Sequence, residues 1–146
     1  MIDHLTLTVS DLDRAIDFYT RALAPLGYGV SMRFEQFVGF GTKRKPVFWI
    51  KPGSPTQPMH IAFAAASRGD VEGFYRQALA AGATDNGPPG LRTDYHPNYF
   101  GAFVIGPDGH NLEAVCHAPV PAARAARPKG KPARRRAAVK ARRGRR

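Results

Sequence analysis

The feature that most constrains this chain is a duplication at a fixed offset of 56 positions. The first copy opens with His4-Leu5-Thr6-Leu7-Thr8-Val9, where apolar and non-apolar residues alternate strictly. A period of two belongs to a strand with one buried face. Leu5, Leu7 and Val9 then point one way, and His4, Thr6 and Thr8 the other. Fifty-six residues later His60 stands in the place of His4, with Ile61, Phe63 and Ala65 on the apolar parity. Phe18-Tyr19 falls on Phe74-Tyr75, and Ala22-Leu23-Ala24 on Ala78-Leu79-Ala80. Self-similarity of this kind predicts two copies of one supersecondary unit.

Each copy reads as β-α-β-β-β. In the first, Ser10 with Asp13 three residues on predicts a capped helix start. Leu12, Ala15, Ile16, Tyr19 and Leu23 follow at helical spacing, and Pro25 and Gly27 stop the helix. Three short strand-like runs follow over 29–35, 36–41 and 46–51, with Gly39 and Gly41 marking bulges or close approaches. The second copy predicts a strand over Met59 to Ala65. Its helix spans Arg68 to Ala81, with Val71, Phe74, Tyr75, Ala78 and Leu79 inward. A short strand over Ala83 to Asn86 precedes Gly87-Pro88-Pro89-Gly90. A hairpin of Asn98 to Ile105 and His110 to His117 turns at Gly106-Pro107-Asp108-Gly109, with His110 solvated in the turn. The fold class is therefore α+β, with tandem modules over about 1–53 and 58–117.

Charge divides the chain differently. Twelve of the 22 Lys and Arg lie in 118–146, where there is no acid; the other ten meet 11 Asp and Glu, a net of −1. The basic character belongs to a tail of Ala, Pro, Arg, Lys and Gly, expected to be disordered because it has little apolar surface to bury. Cys116 is the single cysteine, which excludes an intrachain disulfide and fits a reducing compartment. No run approaches the ~18 apolar residues of a membrane span. The expectation is a cytoplasmic protein.

Strand parity selects the candidate site. The helix-packed faces take Leu5, Leu7 and Val9 in the first strand, and Leu112, Ala114 and Cys116 in the last. His4, His60 and Glu113 are left on the helix-free side, one strong ligand from each of three strands. Imidazole nitrogen and carboxylate oxygen suit first-row divalent metals. Two His and one carboxylate with open positions describe a catalytic metal site better than a closed structural one. Thr6 shares the face of His4. Arg92, Tyr95, His96 and Tyr99 lie in the loop and strand before the hairpin. The competing reading of His4 and His60 is two ordinary strand histidines, and of Glu113 an exposed edge glutamate.

At these residues the chain resembles the vicinal oxygen chelate superfamily of glyoxalases, extradiol dioxygenases and fosfomycin- and bleomycin-resistance proteins. The resemblance covers about Met1 to His117. It rests on His4 to Leu12 with Ile16 and Phe18-Tyr19, on Met59-His60-Ile61-Ala62-Phe63, and on Gly106 to Ala114. It implies modules whose mixed sheets curl around a cleft, with metal ligands at His4, His60 and Glu113. It implies a divalent ion (Fe, Mn, Zn, Ni or Co) that chelates vicinal oxygens of a small substrate. Glu113 would double as proton acceptor, and Thr6 would hydrogen-bond substrate. Arg92, Tyr95, His96 and Tyr99 would supply a wall or lid of that cleft, Trp49 or Phe48 would make one side apolar, and Trp49, Arg92, Tyr95, His96 and Tyr99 are the substrate-binding candidates. A glyoxalase-type site takes a fourth, usually acidic, ligand from the fourth strand, and Val47-Phe48-Trp49-Ile50 offers none. That departure favours a three-ligand site of the dioxygenase or thiol-transferase type.

Three functions follow as expectations. The first is a metal-dependent enzyme of glyoxalase or dioxygenase type. The alternative is a metal-free small-molecule binding or drug-sequestering protein on the same scaffold. The third is non-specific nucleic-acid association through 118–146. A homodimer is expected, in which His4 of one chain meets His60 and Glu113 of the other.

Overall fold

Strict alternation in β1 (Leu5–Val9) sends Leu7 and Val9 to zero exposure and leaves Thr6 exposed. The chain then forms α1 (Leu12–Leu23), β2 (Gly29–Phe34), β3 (Phe37–Thr42) and β4 (Lys45–Pro52). The second module repeats the order with β5 (His60–Ala64), α2 (Arg68–Ala80), β6 (Thr84–Leu91), β7 (Phe100–Ile105) and β8 (Asn111–Cys116). The computed structural model describes residues 2–43 and 45–119, so the expected tail from 120 onward lies outside the described residues.

Two four-stranded mixed sheets result, ordered β1-β4-β3-β2 and β5-β8-β7-β6. In each, the opening strand lies parallel to the last strand of its module, because the helix carries the chain over one face and back. The other neighbours are antiparallel. The architecture is the expected α+β pair of tandem modules.

Helices and sheet faces share one core. Tyr19 packs edge-on to Phe18 at 5.1 Å and to Phe48 at 4.8 Å. Phe48 meets Phe63 of the second module at 5.5 Å, so the aromatic cluster crosses the module boundary. Each such ring buried is worth roughly 1.5–3 kcal/mol over its exposed state. With the core on the helix side, the opposite face of each sheet is left open.

Four local expectations are corrected. The cap of α1 is Asp11, whose carboxylate accepts from the Arg14 N–H at 3.0 Å. Ser10 instead donates its hydroxyl to Asp108 at 2.6 Å, tying the first strand's end to the distant hairpin turn. The reciprocal capping box belongs to α2, between Ser67 and Asp70. The strand expected to end at Asn86 runs on through Pro88 and Pro89 to Leu91. It can do so because β6 is the edge of its sheet, where a missing N–H costs no ladder bond, and its pairing with β7 slips on either side of Gly87.

The fourth correction concerns His110, which is fully buried rather than solvated. Its Nδ1 accepts the Met59 N–H at 3.1 Å, while Asn111 N–H donates to Met59 C=O at 2.9 Å. The imidazole thus replaces a ladder partner where β5 begins. Burial holds its pKa below the ordinary histidine value.

Candidate functional site

The register aligns one row of side chains across each helix-free face. In the first sheet Thr6 pairs with Trp49, Trp49 with Gly39, and Gly39 with Met32. In the second, Ala62 pairs with Glu113, Glu113 with Phe103, and Phe103 with Gly87. Thr6 and Ala62 are the duplicated position, so Trp49 occupies in its module the place Glu113 occupies in the other. The carboxylate missing from β4 is therefore replaced by an indole at the equivalent site. Trp49 has room because Gly39 has no Cβ; one built there would come within 2.9 Å of the indole ring.

Glu113 is 1% exposed, which decides against a solvated edge glutamate. A buried carboxylate needs partners, and it has two. His60 Nε2 lies 2.9 Å from Oε2, and the Tyr99 hydroxyl donates a hydrogen bond to Oε1. Gly101 makes the space: a Cβ there would stand 3.0 Å from Oε1 and 3.1 Å from the Tyr99 ring. Burial first, then the bond to Glu113, pushes the Tyr99 phenol up to about 12, so it stays a donor across the neutral range.

His4 sits at the other sheet, just before β1. Its Nδ1 lies 2.9 Å from Asp3 Oδ1. A carboxylate only accepts, so the neutral imidazole carries its proton on Nδ1 and presents a bare Nε2. Hydrogen bonds from His4 and then Lys45 hold the Asp3 carboxyl below its usual value. Asp3 orients His4 and was not singled out in the sequence; its adjacency to His4 was the available signal.

Two hollows adjoin His4. One of about 400 Å³ is lined by Thr6, Met32, Phe34, Phe37 and Trp49. Another of about 540 Å³ runs between β1 and β5 and touches both His4 and His60. Within one chain the structure brings together His60, Glu113 and Tyr99, while His4 shares a hollow with His60. Among the described residues no three His, Cys, Asp or Glu side chains converge as a metal-binding group.

The remaining candidates split. Arg92 lies over the Phe103 ring at 5.6 Å, and Phe103 lies 6.1 Å from the His60 ring. Tyr95 stacks edge-on to Tyr99 at 5.1 Å, and His117 meets Tyr99 at 5.0 Å and His96 at 6.1 Å. Tyr95 and His96 therefore brace Tyr99 rather than reach Glu113. His117, which follows β8, joins this cluster. Cys116 is buried on the helix side.

The donor chemistry fits a divalent ion in part. His60 Nε2 and Glu113 Oε2 share one proton, where a cation would take both lone pairs. His4 presents a further nitrogen from the other module.

The model for the Glyoxalase/Bleomycin resistance protein/Dioxygenase superfamily matches residues 1–114. Among solved structures, a glyoxalase/bleomycin resistance protein from Albidiferax ferrireducens is 26% identical. The match covers 78% of this chain and 97% of that one, with a TM-score of 0.69. A glyoxalase/bleomycin resistance protein/dioxygenase family enzyme from Burkholderia phytofirmans is 16% identical, covers 80% and 98%, and scores 0.61. A glyoxalase/bleomycin resistance protein/dioxygenase from Nocardioides is 21% identical, covers 80% and 82%, and scores 0.55. No curated protein matches this chain.

Proposed function

The chain belongs to the Glyoxalase/Bleomycin resistance protein/Dioxygenase superfamily, and from that premise we propose that it is a divalent-metal enzyme of a small oxygen-bearing substrate. The observation that carries this reading is the pair His60–Glu113, a carboxylate 1% exposed on the helix-free face and held 2.9 Å from an imidazole. His4, with its proton committed to Asp3, is the third ligand. Because His4 and the pair form no metal-binding group among the described residues of one chain, the proposed set closes between two chains. The helix-free face of one protomer's first sheet packs over its partner's second sheet. Met32 at 50% and Phe34 at 62% exposure are the apolar surface such a contact would cover.

A metal held there would act as a Lewis acid on adjacent substrate oxygens. The chain's own residues do the rest. Tyr99 keeps Glu113 oriented by donating to Oε1, and His60 takes Oε2. Glu113, buried and unable to relax into water, is placed to accept a proton from substrate. Thr6, on the row that carries Trp49, donates a hydroxyl to the bound molecule. Trp49 and Phe37 exclude water from that side.

Metal analysis of the purified protein tests this directly. The native protein should retain a divalent ion, and His60→Ala and Glu113→Gln should lose most of it. Equal content in all three samples favours a metal-free binding protein. The observation on that side is that Glu113 is already satisfied by Tyr99 and His60.

A second activity is proposed from the charge division. With twelve cations and no acid, residues 118–146 would hold nucleic acid by counterion release, without sequence preference. DNA retention by the full chain should vanish on truncation after His117 and fall steeply with salt. Retention unchanged by truncation removes the idea.

A further inference from the structure

Arg92 is half-buried on the rim of the second sheet's helix-free face, and its surroundings hold it in one place. Its guanidinium donates to the Pro88 C=O at 2.8 Å and stacks on Phe103 at 5.6 Å. The backbone makes way for it. A Cβ built on Gly90 would come within 2.9 Å of Nη1, and one on Gly87 within 3.5 Å of Nη2. The Arg92 N–H donates to Tyr99 C=O at 2.8 Å, which ties the same residue to the tyrosine that bonds Glu113. Among the described residues no carboxylate pairs with it. A guanidinium carries five donors, and one is used here.

A half-buried cation that is braced but not neutralised costs the protein desolvation that a counter-ion would offset. Two acids of the site are already engaged, Glu113 by His60 and Tyr99, and Asp3 by His4 and Lys45. The other sheet presents Thr6, Trp49, Phe37 and Met32, with Lys51 set 5.6 Å over the Phe37 ring. The two walls together offer cations and broad apolar surface; Asp94, two residues from Arg92, is exposed and makes no ion pair with it.

We propose that Arg92 anchors a carboxylate of the ligand, and that the site takes an oxygenated carboxylic acid bearing an apolar or aromatic body. The inference rests on reading the helix-free faces as the substrate cleft, and it names the class of molecule that cleft admits. The carboxylate meets the guanidinium fork beside Phe103. The α-oxygen lies toward His60 and Glu113, and the apolar body toward the partner's Trp49 row.

Calorimetric titration with 3-phenyllactate and with its neutral analogue 3-phenyl-1,2-propanediol tests the assignment. The native full chain should bind the acid about tenfold or more tighter than the diol, the ratio expected of a charge-assisted pair. Arg92→Met keeps the aliphatic stem on Phe103 and removes the charge; it should bind both equally. Gly90→Ala keeps the charge but pushes the flexible guanidinium from its place, and should also shrink the preference. The anchor is overturned if the native protein shows no preference for the acid, or if Arg92→Met retains it. Titrations are made on chelator-treated and on Mn(II)-loaded protein. A lost preference with metal retained sinks the anchor alone; a kept preference with no metal bound sinks the metal reading alone.

Discussion

At the scale of single residues, the informative groups are those whose burial conflicts with their chemistry. Glu113 resolves that conflict with two hydrogen bonds, and His110 resolves it with one, leaving Nε2 buried without a partner. The consequence for His110 is a dependence of stability on pH. Burial places its folded pKa below the unfolded value of ~6.5. The unfolded chain therefore binds the proton first on acidification, and stability falls as pH drops from about 6.5 toward the folded pKa. Above ~6.5 the contribution is complete. Thermal unfolding should show a lower Tm at pH 5 than at pH 7.5. His110→Asn keeps an acceptor for the Met59 N–H but cannot titrate, and should flatten that difference. An unchanged pH slope in the variant would place the titration elsewhere.

At the scale of elements, the junction between modules is set by a close approach on α2. Gly73 faces the 3-10 turn Ala24–Leu26, and a Cβ there would stand 2.8 Å from Pro25 Cβ. Two effects of Gly73→Ala oppose each other. Alanine gains about 1 kcal/mol of helix propensity. Forcing a methyl against a rigid proline ring costs about 1–3 kcal/mol. The steric effect is the larger, so Gly73→Ala should lower the urea midpoint. A raised midpoint would mean that the turn yields. The sequence made the helix legible through Val71, Phe74 and Ala78, but it gave no sign that Gly73 was a contact. Nothing local distinguishes a tolerated helix glycine from one pressed against another module.

At the scale of the molecule, the proposed site depends on a second chain, and complementation separates the two arrangements. In a shared site, a mixed dimer of His4→Ala and His60→Ala has one pocket with both substitutions and one intact pocket. Mixing and reassembling the two inactive variants should restore metal content to about a quarter of native, since half the dimers are mixed and each has one intact site of two. A site closed within one chain gives no restoration. Sedimentation of the native protein as a dimer at micromolar concentration is the companion expectation. A strict monomer with full metal content would return His4 to its own chain.

The 56-residue repeat and strand parity were sufficient to determine the paired β-α-β-β-β modules and the faces on which His4, His60 and Glu113 lie. Those properties follow from periodicity, which is local and survives without knowledge of the partner elements. The equivalence of Trp49 with Glu113, the Tyr99–Glu113 bond, the braced Arg92 and the buried His110 came only from tertiary structure. Trp49 and Glu113 depend on strand register, and a one-residue slip would send both to the other face; Tyr99, Arg92 and His110 lie outside the strands and are placed by contacts that local periodicity does not encode.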